Sequence, residues 1–352
     1  MGDTQSKKLL FVGASGHHYL ADMLGRIDNA GRPYVSSAAY VGDGVDEANT
    51  QGILDRLART AAGPHSLERV ESFDRALDEF QPDVVSVGAV YAANGKFAAA
   101  ALRRGLAVVC DKPIAGTWEM LAEVEATSKT SGASLVTEFD LRVRPHFAAA
   151  RDAIASGQIG TPALVTVQKS YRWRTRPGWY ADRSLYTSTL LWIASHGIDM
   201  ADFVLRQEPT WFAARQTNVT KPQFGSAEDN VAVIMGYGAA GGTGPTTIVH
   251  ADFLRPEATS THGDDRLRVV GSEGQIEVLD GQAFITTTKE PRRPLTLPPE
   301  EPVGLVMFRA AIGGKSGFGS PDFNTAHSLR IARQLLLARD AADKAIAIAT
   351  HR

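Results

Sequence analysis

Over the first 140 or so residues, short apolar, β-branched runs alternate with Ala- and Leu-rich stretches. Lys8–Gly13, Val35–Gly42, Asp83–Val90, Leu106–Cys110 and Ala133–Thr137 read as strands. Between them, Gly16–Arg26, Asp46–Ala62, Phe73–Glu79, Asn94–Arg104 and Thr117–Ser131 carry helical patterns. Strands that are apolar throughout need cover on both faces, which a parallel sheet between two helical layers provides. The pattern predicts an α/β fold with an N-terminal Rossmann domain, a doubly wound parallel sheet.

The rhythm changes after Pro145. A helix is expected over Phe147–Ser156, a half-buried strand over Pro162–Trp173, and a long amphipathic helix over Leu190–Leu205. Trp211–Thr217, Asn230–Tyr237, Thr246–Phe253, Leu267–Val270 and Gln275–Leu279 then read as antiparallel strands. Gly-rich turns separate them at Ala239–Gly244 and Gly271–Gly274. The expectation is a C-terminal α+β domain on one open, mostly antiparallel sheet. Lys289–Pro302, rich in Pro and charge, reads as an exposed loop. The expected domains are residues 1–140 and 141–320, with a last helix at about 321–341 packing back on the first.

Composition narrows the class. The chain has 352 residues, more than one hydrophobic core usually spans. Lys plus Arg is 37 and Asp plus Glu is 39, a net charge of −2 that argues against a nucleic-acid binder. Cys110 is the single cysteine, which excludes an intrachain disulfide framework and a Cys-based zinc cluster, and no metal is expected. The polar start, Met1 to Lys8, has no apolar signal core, and no run is long enough to span a membrane. The expected compartment is the cytoplasm.

The first strand runs into Gly13-Ala14-Ser15-Gly16, followed by His17 and a predicted helix. A Gly-rich turn there can present backbone N–H groups to a pyrophosphate at a helix N-terminus. The usual G-x-G-x-x-G has Ser15 at its second glycine and His18 at its third. Asp43, just beyond the second strand, can accept ribose hydroxyls. No Arg follows it closely, which favours NAD and leaves NADP open.

The next signal is Gly105-Leu106-Ala107-Val108-Val109-Cys110-Asp111-Lys112-Pro113. Here the chain resembles the Gfo/Idh/MocA family of NAD(P)-dependent oxidoreductases, whose Gly-x-x-Val-x-x-Glu-Lys-Pro it matches with Asp111 for Glu. The resemblance continues through Arg142-Val143-Arg144-Pro145, Gly157-Gln158-Ile159-Gly160, His196-Gly197-Ile198-Asp199 and Leu267–Gly274. It implies that the C-terminal domain binds substrate and forms a homo-oligomer through its sheet. It also implies roles. The Lys112 ammonium would polarise the reacting oxygen and His196 would exchange its proton, with Asp199 orienting the imidazole. The Lys112-Pro113 bond is often cis in the family. Gly13, Ala14, Ser15, Gly16, His17, Asp43, Ala89, Asn94, Asp111 and Lys112 would line the cofactor.

Several positions depart from that pattern. Trp192 stands where the family carries Asp, and Ala194 where it carries Gly. Ala89-Val90 replaces Thr-Pro, Asn94 replaces His, and Asp140 replaces Asn. Helical spacing predicts that Trp192, His196, Asp199 and Phe203 share a face. At the end of the first strand of the second domain, alternation would put Arg172, Arg174 and Arg176 on one face, suited to a sugar-like ligand, anionic ones included. Arg142, Tyr186, Trp192, Asp199 and His262 complete the substrate candidates. The expected activity is hydride transfer between NAD and a hydroxyl or carbonyl of a sugar, cyclitol or related polyol. The departures keep two alternatives open: net epimerisation or elimination around a retained NAD, and a non-catalytic binding protein or partner subunit on a dehydrogenase scaffold.

Overall fold

The computed structural model describes residues 6–60, 67–225, 227–238, 242–313 and 323–344. The chain divides into two compact units, Met1–Asp140 with Glu301–Ala332, and Leu141–Glu300 with Arg333–Arg352. Residues 61–62, residues 239–241 of the turn at 239–244 and residues 321–322, all assigned above from sequence, lie outside the described residues.

The first unit is built on β1 (Lys7–Val12), β2 (Val35–Val41), β3 (Leu67–Arg69), β4 (Val84–Val87), β5 (Ala107–Cys110) and β6 (Leu135–Thr137). They form a parallel sheet in the order β3-β2-β1-β4-β5-β6. β4 is buried along its whole length, as are Leu9–Val12 of β1 and Val108–Cys110 of β5, which is why these segments are apolar on both faces. Thr117 caps the helix Trp118–Ser131 by accepting from the Met120 N–H, and Gly132 ends it in a left-handed turn.

One predicted helix does not form. Instead of Gly16–Arg26, a single 3₁₀ stretch spans Tyr19–Met23, and His18 before it is left-handed, with φ 48°. Backbone contact accounts for this. A Cβ at Gly16 would lie 2.4 Å from the Gly88 Cα, so the chain is held flat against the end of β4 where a helix would lift away.

The second unit carries β7 (Pro162–Tyr171), β8 (Trp211–Thr217), β9 (Asn230–Gly236), β10 (Thr246–Asp252), β11 (Gly263–Gly271), β12 (Gly274–Leu279), β13 (Gln282–Thr287) and β14 (Arg293–Pro294). Their order is β14-β13-β12-β11-β7-β10-β9-β8, antiparallel except for the parallel pair β7–β10. β13 and β14 extend the sheet beyond the segments predicted, and β14 falls in the segment predicted as loop. The buried helix Ser195–Leu205 packs on β7 and β10. Gly197 permits that approach, since a Cβ there would stand 2.3 Å from a Val249 methyl. On the other face, Ile234 and Ile248 pair across β9 and β10 and are 40% and 37% exposed.

Candidate functional site

The loop after β1 is turned inward. The N–H groups of Ser15 and Gly16 both donate to the Gly88 carbonyl, at 2.9 and 2.8 Å. The His17 N–H goes to the Asp111 carboxylate and the Tyr19 N–H to Glu138, at 3.0 and 3.1 Å. The predicted helix N-terminus is therefore absent, and four amides around it already have acceptors. His18 explains part of this. Its Nε2 donates to the Gly13 carbonyl at 2.8 Å, and its Nδ1 lies 2.9 Å from the Ser86 hydroxyl. Burial pushes this imidazole down to about 4, so it is neutral and fills the space the third glycine leaves open.

β5 delivers Asp111 and Lys112 into a buried polar cluster. The Lys112 ammonium donates to Asp111 Oδ1 at 2.8 Å and lies 3.0 Å from His17 Nδ1. His17 Nδ1 is also 3.0 Å from Asp111 Oδ2. Although burial acts to raise it, the Lys112 charge and the hydrogen bonding of His17 and Lys112 hold the Asp111 carboxyl well below the usual carboxylate range. Glu138, just past β6, is fully buried. Burial and then the Asp111 charge push its carboxyl up to about 8, so it carries a proton at neutral pH. Its Oε2 has no hydrogen-bond partner among the described residues. His17, Asp111 and Glu138 offer ligand atoms within 4.8 Å of one another, but the Lys112 ammonium already serves as the cation of this cluster.

Asn94, expected at the cofactor, is buried. It donates to the Asp111 and Pro113 carbonyls at 3.2 and 3.3 Å, bracing the turn that carries Lys112. The Lys112-Pro113 bond is cis. Ala89 is buried as well, its Cα 2.5 Å from where a Cβ on Gly13 would sit. Cys110 is buried with its thiol pushed up by burial, so it is an unreactive neighbour.

Asp43 lies at the C-terminal end of β2. It accepts from the N–H groups of Val45, Asp46 and Val90 at 2.9, 3.0 and 2.7 Å. Beside it opens a cleft of about 560 Å³ whose walls include Glu47, Arg69, Val70, Phe73 and Phe97. The lining is mixed, with Phe73 and Phe97 rings on which a base can lie and carboxylates, Asp43 among them, that can accept from ribose hydroxyls. Arg69, Phe73 and Phe97 were not singled out above. They come from separate stretches, Arg69 from an edge strand too short to show a period.

In the second unit, the segment Leu190–Ala194 is a π-helical turn leading into Ser195–Leu205. His196 and Trp192 are 2% and 7% exposed. Arg142 and Asp199, expected near substrate, form a buried pair. Arg142 Nε lies 2.9 Å from both Asp199 carboxylate oxygens, and its Nη2 is 2.9 Å from Asp202. Tyr186 is fully buried with its hydroxyl 2.7 Å from the Thr189 hydroxyl.

The arginine stripe is corrected too. β7 ends at Tyr171 and Arg174 is left-handed, with φ 53°, so alternation stops. Arg172 donates to the carbonyls of Glu257 and Thr259, and Arg176 stacks over Phe253 with 4.7 Å to the centroid. The cations still converge. Burial, then Arg174, Arg176, Arg172 and Lys169, push His262 down to about 4 while its ring stacks on Tyr171 at 4.6 Å.

Comparison with known proteins follows the same division. Residues 24–139 match the family model described as oxidoreductase family, NAD-binding Rossmann fold. Residues 147–277 match the GFO/IDH/MocA C-terminal domain. The first match begins after the inward-turned loop. A 1,5-anhydro-D-fructose reductase of Ensifer adhaerens is 29% identical over 246 residues, 69% of this chain and 66% of its own. An inositol 2-dehydrogenase of Rhizobium meliloti is 30% identical over 49% of this chain and 50% of its own. The chain thus spans about half to two thirds of these relatives. A Thermotoga maritima structure described as an oxidoreductase superposes with TM-score 0.84 at 25% identity, covering 96% of this chain and 98% of that one. An inositol dehydrogenase homologue of Azotobacter vinelandii, solved with NAD+, gives 0.74 at 18% identity over 97% and 96%.

Proposed function

The chain belongs to the Gfo/Idh/MocA family of oxidoreductases, and from that premise we propose that it transfers hydride between NAD and a hydroxyl or carbonyl of a sugar, cyclitol or related polyol. The observation that carries this reading is the Lys112 ammonium, fixed at the end of β5 by Asp111 and His17. The likeness to a 1,5-anhydro-D-fructose reductase and an inositol 2-dehydrogenase supports the substrate class. Bound NAD supplies the hydride acceptor or donor. Its nucleoside would be held in the cleft beside Asp43, where Arg69 stands among the acids Glu47 and Glu71, a lining compatible with NAD and with NADP. Lys112 polarises the substrate oxygen, and His196 takes or returns the hydroxyl proton. The cations around His262 suit a substrate bearing an anionic group. A homo-oligomer through the face bearing Ile234 and Ile248 completes the reading. Among the described residues, no helix is long and apolar enough to cross a membrane.

The test is turnover against a panel of polyols and their ketones, followed by nicotinamide absorbance. Lys112→Ala and His196→Ala should each cost about 10²- to 10⁴-fold. Unchanged turnover in both removes the proposal. The inward-turned amides of Ser15 and Gly16 favour the second reading, a non-catalytic binding protein. Mass spectrometry of nucleotide released on denaturation, with NADH titration of the empty protein, separates the two.

A further inference from the structure

Lys112, Asp111 and His17 form a closed triangle. Lys112 Nζ meets Asp111 Oδ1 at 2.8 Å, His17 Nδ1 meets Asp111 Oδ2 at 3.0 Å, and the two nitrogens are 3.0 Å apart. A proton held on either nitrogen is thus paired with an oxygen of the same carboxylate. The two nitrogens differ in one respect: the Lys112 side chain is 1% exposed, whereas that of His17 is 34% exposed. A buried ammonium can exchange protons with water only along a path, and a two-ended imidazole at its side provides one.

We propose that His17 is a proton relay between Lys112 and solvent. The Lys112 ammonium passes a proton to His17 Nδ1, leaving a neutral amine and an imidazolium. The imidazolium then releases its Nε2 proton to water, and the reverse sequence recharges the lysine. No bond between heavy atoms changes. The net transfer is one proton from Nζ to solvent. Asp111 stays ionised throughout. It stabilises both positions of the charge, and its bond to the His17 N–H fixes the ring's approach. Other charged or titratable groups facing the triangle include Glu138, Arg56, His18, Cys110 and Tyr19, whose ring stacks on His17 with centroids 5.4 Å apart. Glu138 stays protonated at neutral pH, so it adds no second anion to trap the proton. His18 is engaged with Gly13 and Ser86 and lies outside the route. The consequence for activity rests on the reading of Lys112 as the group at the reacting oxygen. The relay itself does not.

The decisive measurement is solvent exchange of the Lys112 ammonium protons by ¹⁵N NMR on selectively labelled full-length protein. His17→Asn keeps an acceptor near Nδ1 but cannot pass a proton through, and should slow that exchange about tenfold or more. Added imidazole should restore it. His17→Gln serves as a second variant, with folding checked by circular dichroism. Where turnover is found, it should fall in both variants and recover with imidazole, which a merely positioning residue would not show. Exchange that is unchanged in both variants, or slowed but insensitive to imidazole, overturns the proposal. Absence of turnover in the wild type would count against the oxidoreductase reading and leave the exchange result standing.

Discussion

Glu138 shows what burial does to one carboxyl. Its ordinary value of 4.5 is raised to about 8, first by burial and then by Asp111. The folded protein therefore keeps a proton that the unfolded chain has released between those two values. Stability from this group is full below about 4.5 and is lost as pH rises through about 8. The slope is about 1.4 kcal/mol per pH unit across the window. Glu138→Gln mimics the protonated form and should remove that slope. Denaturant unfolding of wild type and variant at a series of pH values checks it. A difference between the two that stays constant with pH would contradict the assignment. Glu138 could not be read from local pattern, because its neighbours Asp111 and Tyr19 are far away in sequence and the cluster exists only once β5 and β6 lie side by side.

At the scale of elements, two features decide what each unit can hold. The first is the missing helix after β1. With the Ser15 and Gly16 amides bonded to Gly88, a diphosphate meets no open helix end. Adenosine and ADP should then bind the cleft beside Asp43 with affinities within about tenfold of each other. Calorimetry with adenosine, AMP, ADP and NAD tests this, and a gain of several hundredfold on adding the diphosphate would show that the loop reopens. The second is the pin from Arg142 to the buried helix Ser195–Leu205. The Arg142 guanidinium and the Asp199 carboxylate are about 0–1% exposed. Arg142→Leu leaves Asp199 and Asp202 buried without their cation and should cost about 3–5 kcal/mol, read as a lower denaturation midpoint.

The sequence pattern revealed these elements unevenly. The buried strands of the parallel sheet were legible because burial on both faces leaves little but apolar residues. Lys112 was legible through the motif around it. The stretch after Gly16 reads as a helix by composition, and contact with Gly88 overrides it. The hairpin β12–β13 turns on Asp280-Gly281, both with positive φ. That dipeptide is the signal that finds it, although the Thr-rich strand beyond shows weak alternation.

For the whole molecule, the open face of the second sheet is the feature with most to say about assembly. Ile234 and Ile248 stand side by side there, and Trp211 on the edge strand β8 is 45% exposed. If copies join through this face, Ile234→Arg with Ile248→Arg should shift the protein to a monomer in light scattering after size exclusion. The fold of each unit should be unaffected, since both side chains point away from the core. An unchanged assembly would place the interface elsewhere.

The central strand of that sheet also governs the order in which it can be built. β7 comes first in the chain, yet its two neighbours are β10 and β11, which follow only after β8 and β9. During synthesis β7 waits with both edges bare, and its closure spans a long loop. A ribosome stalled before Thr246 therefore presents a long strand with both edges unpaired, a ready template for pairing with another nascent chain. Chaperone dependence in the cell should track the time between translating β7 and β11 more closely than the stability of the finished protein.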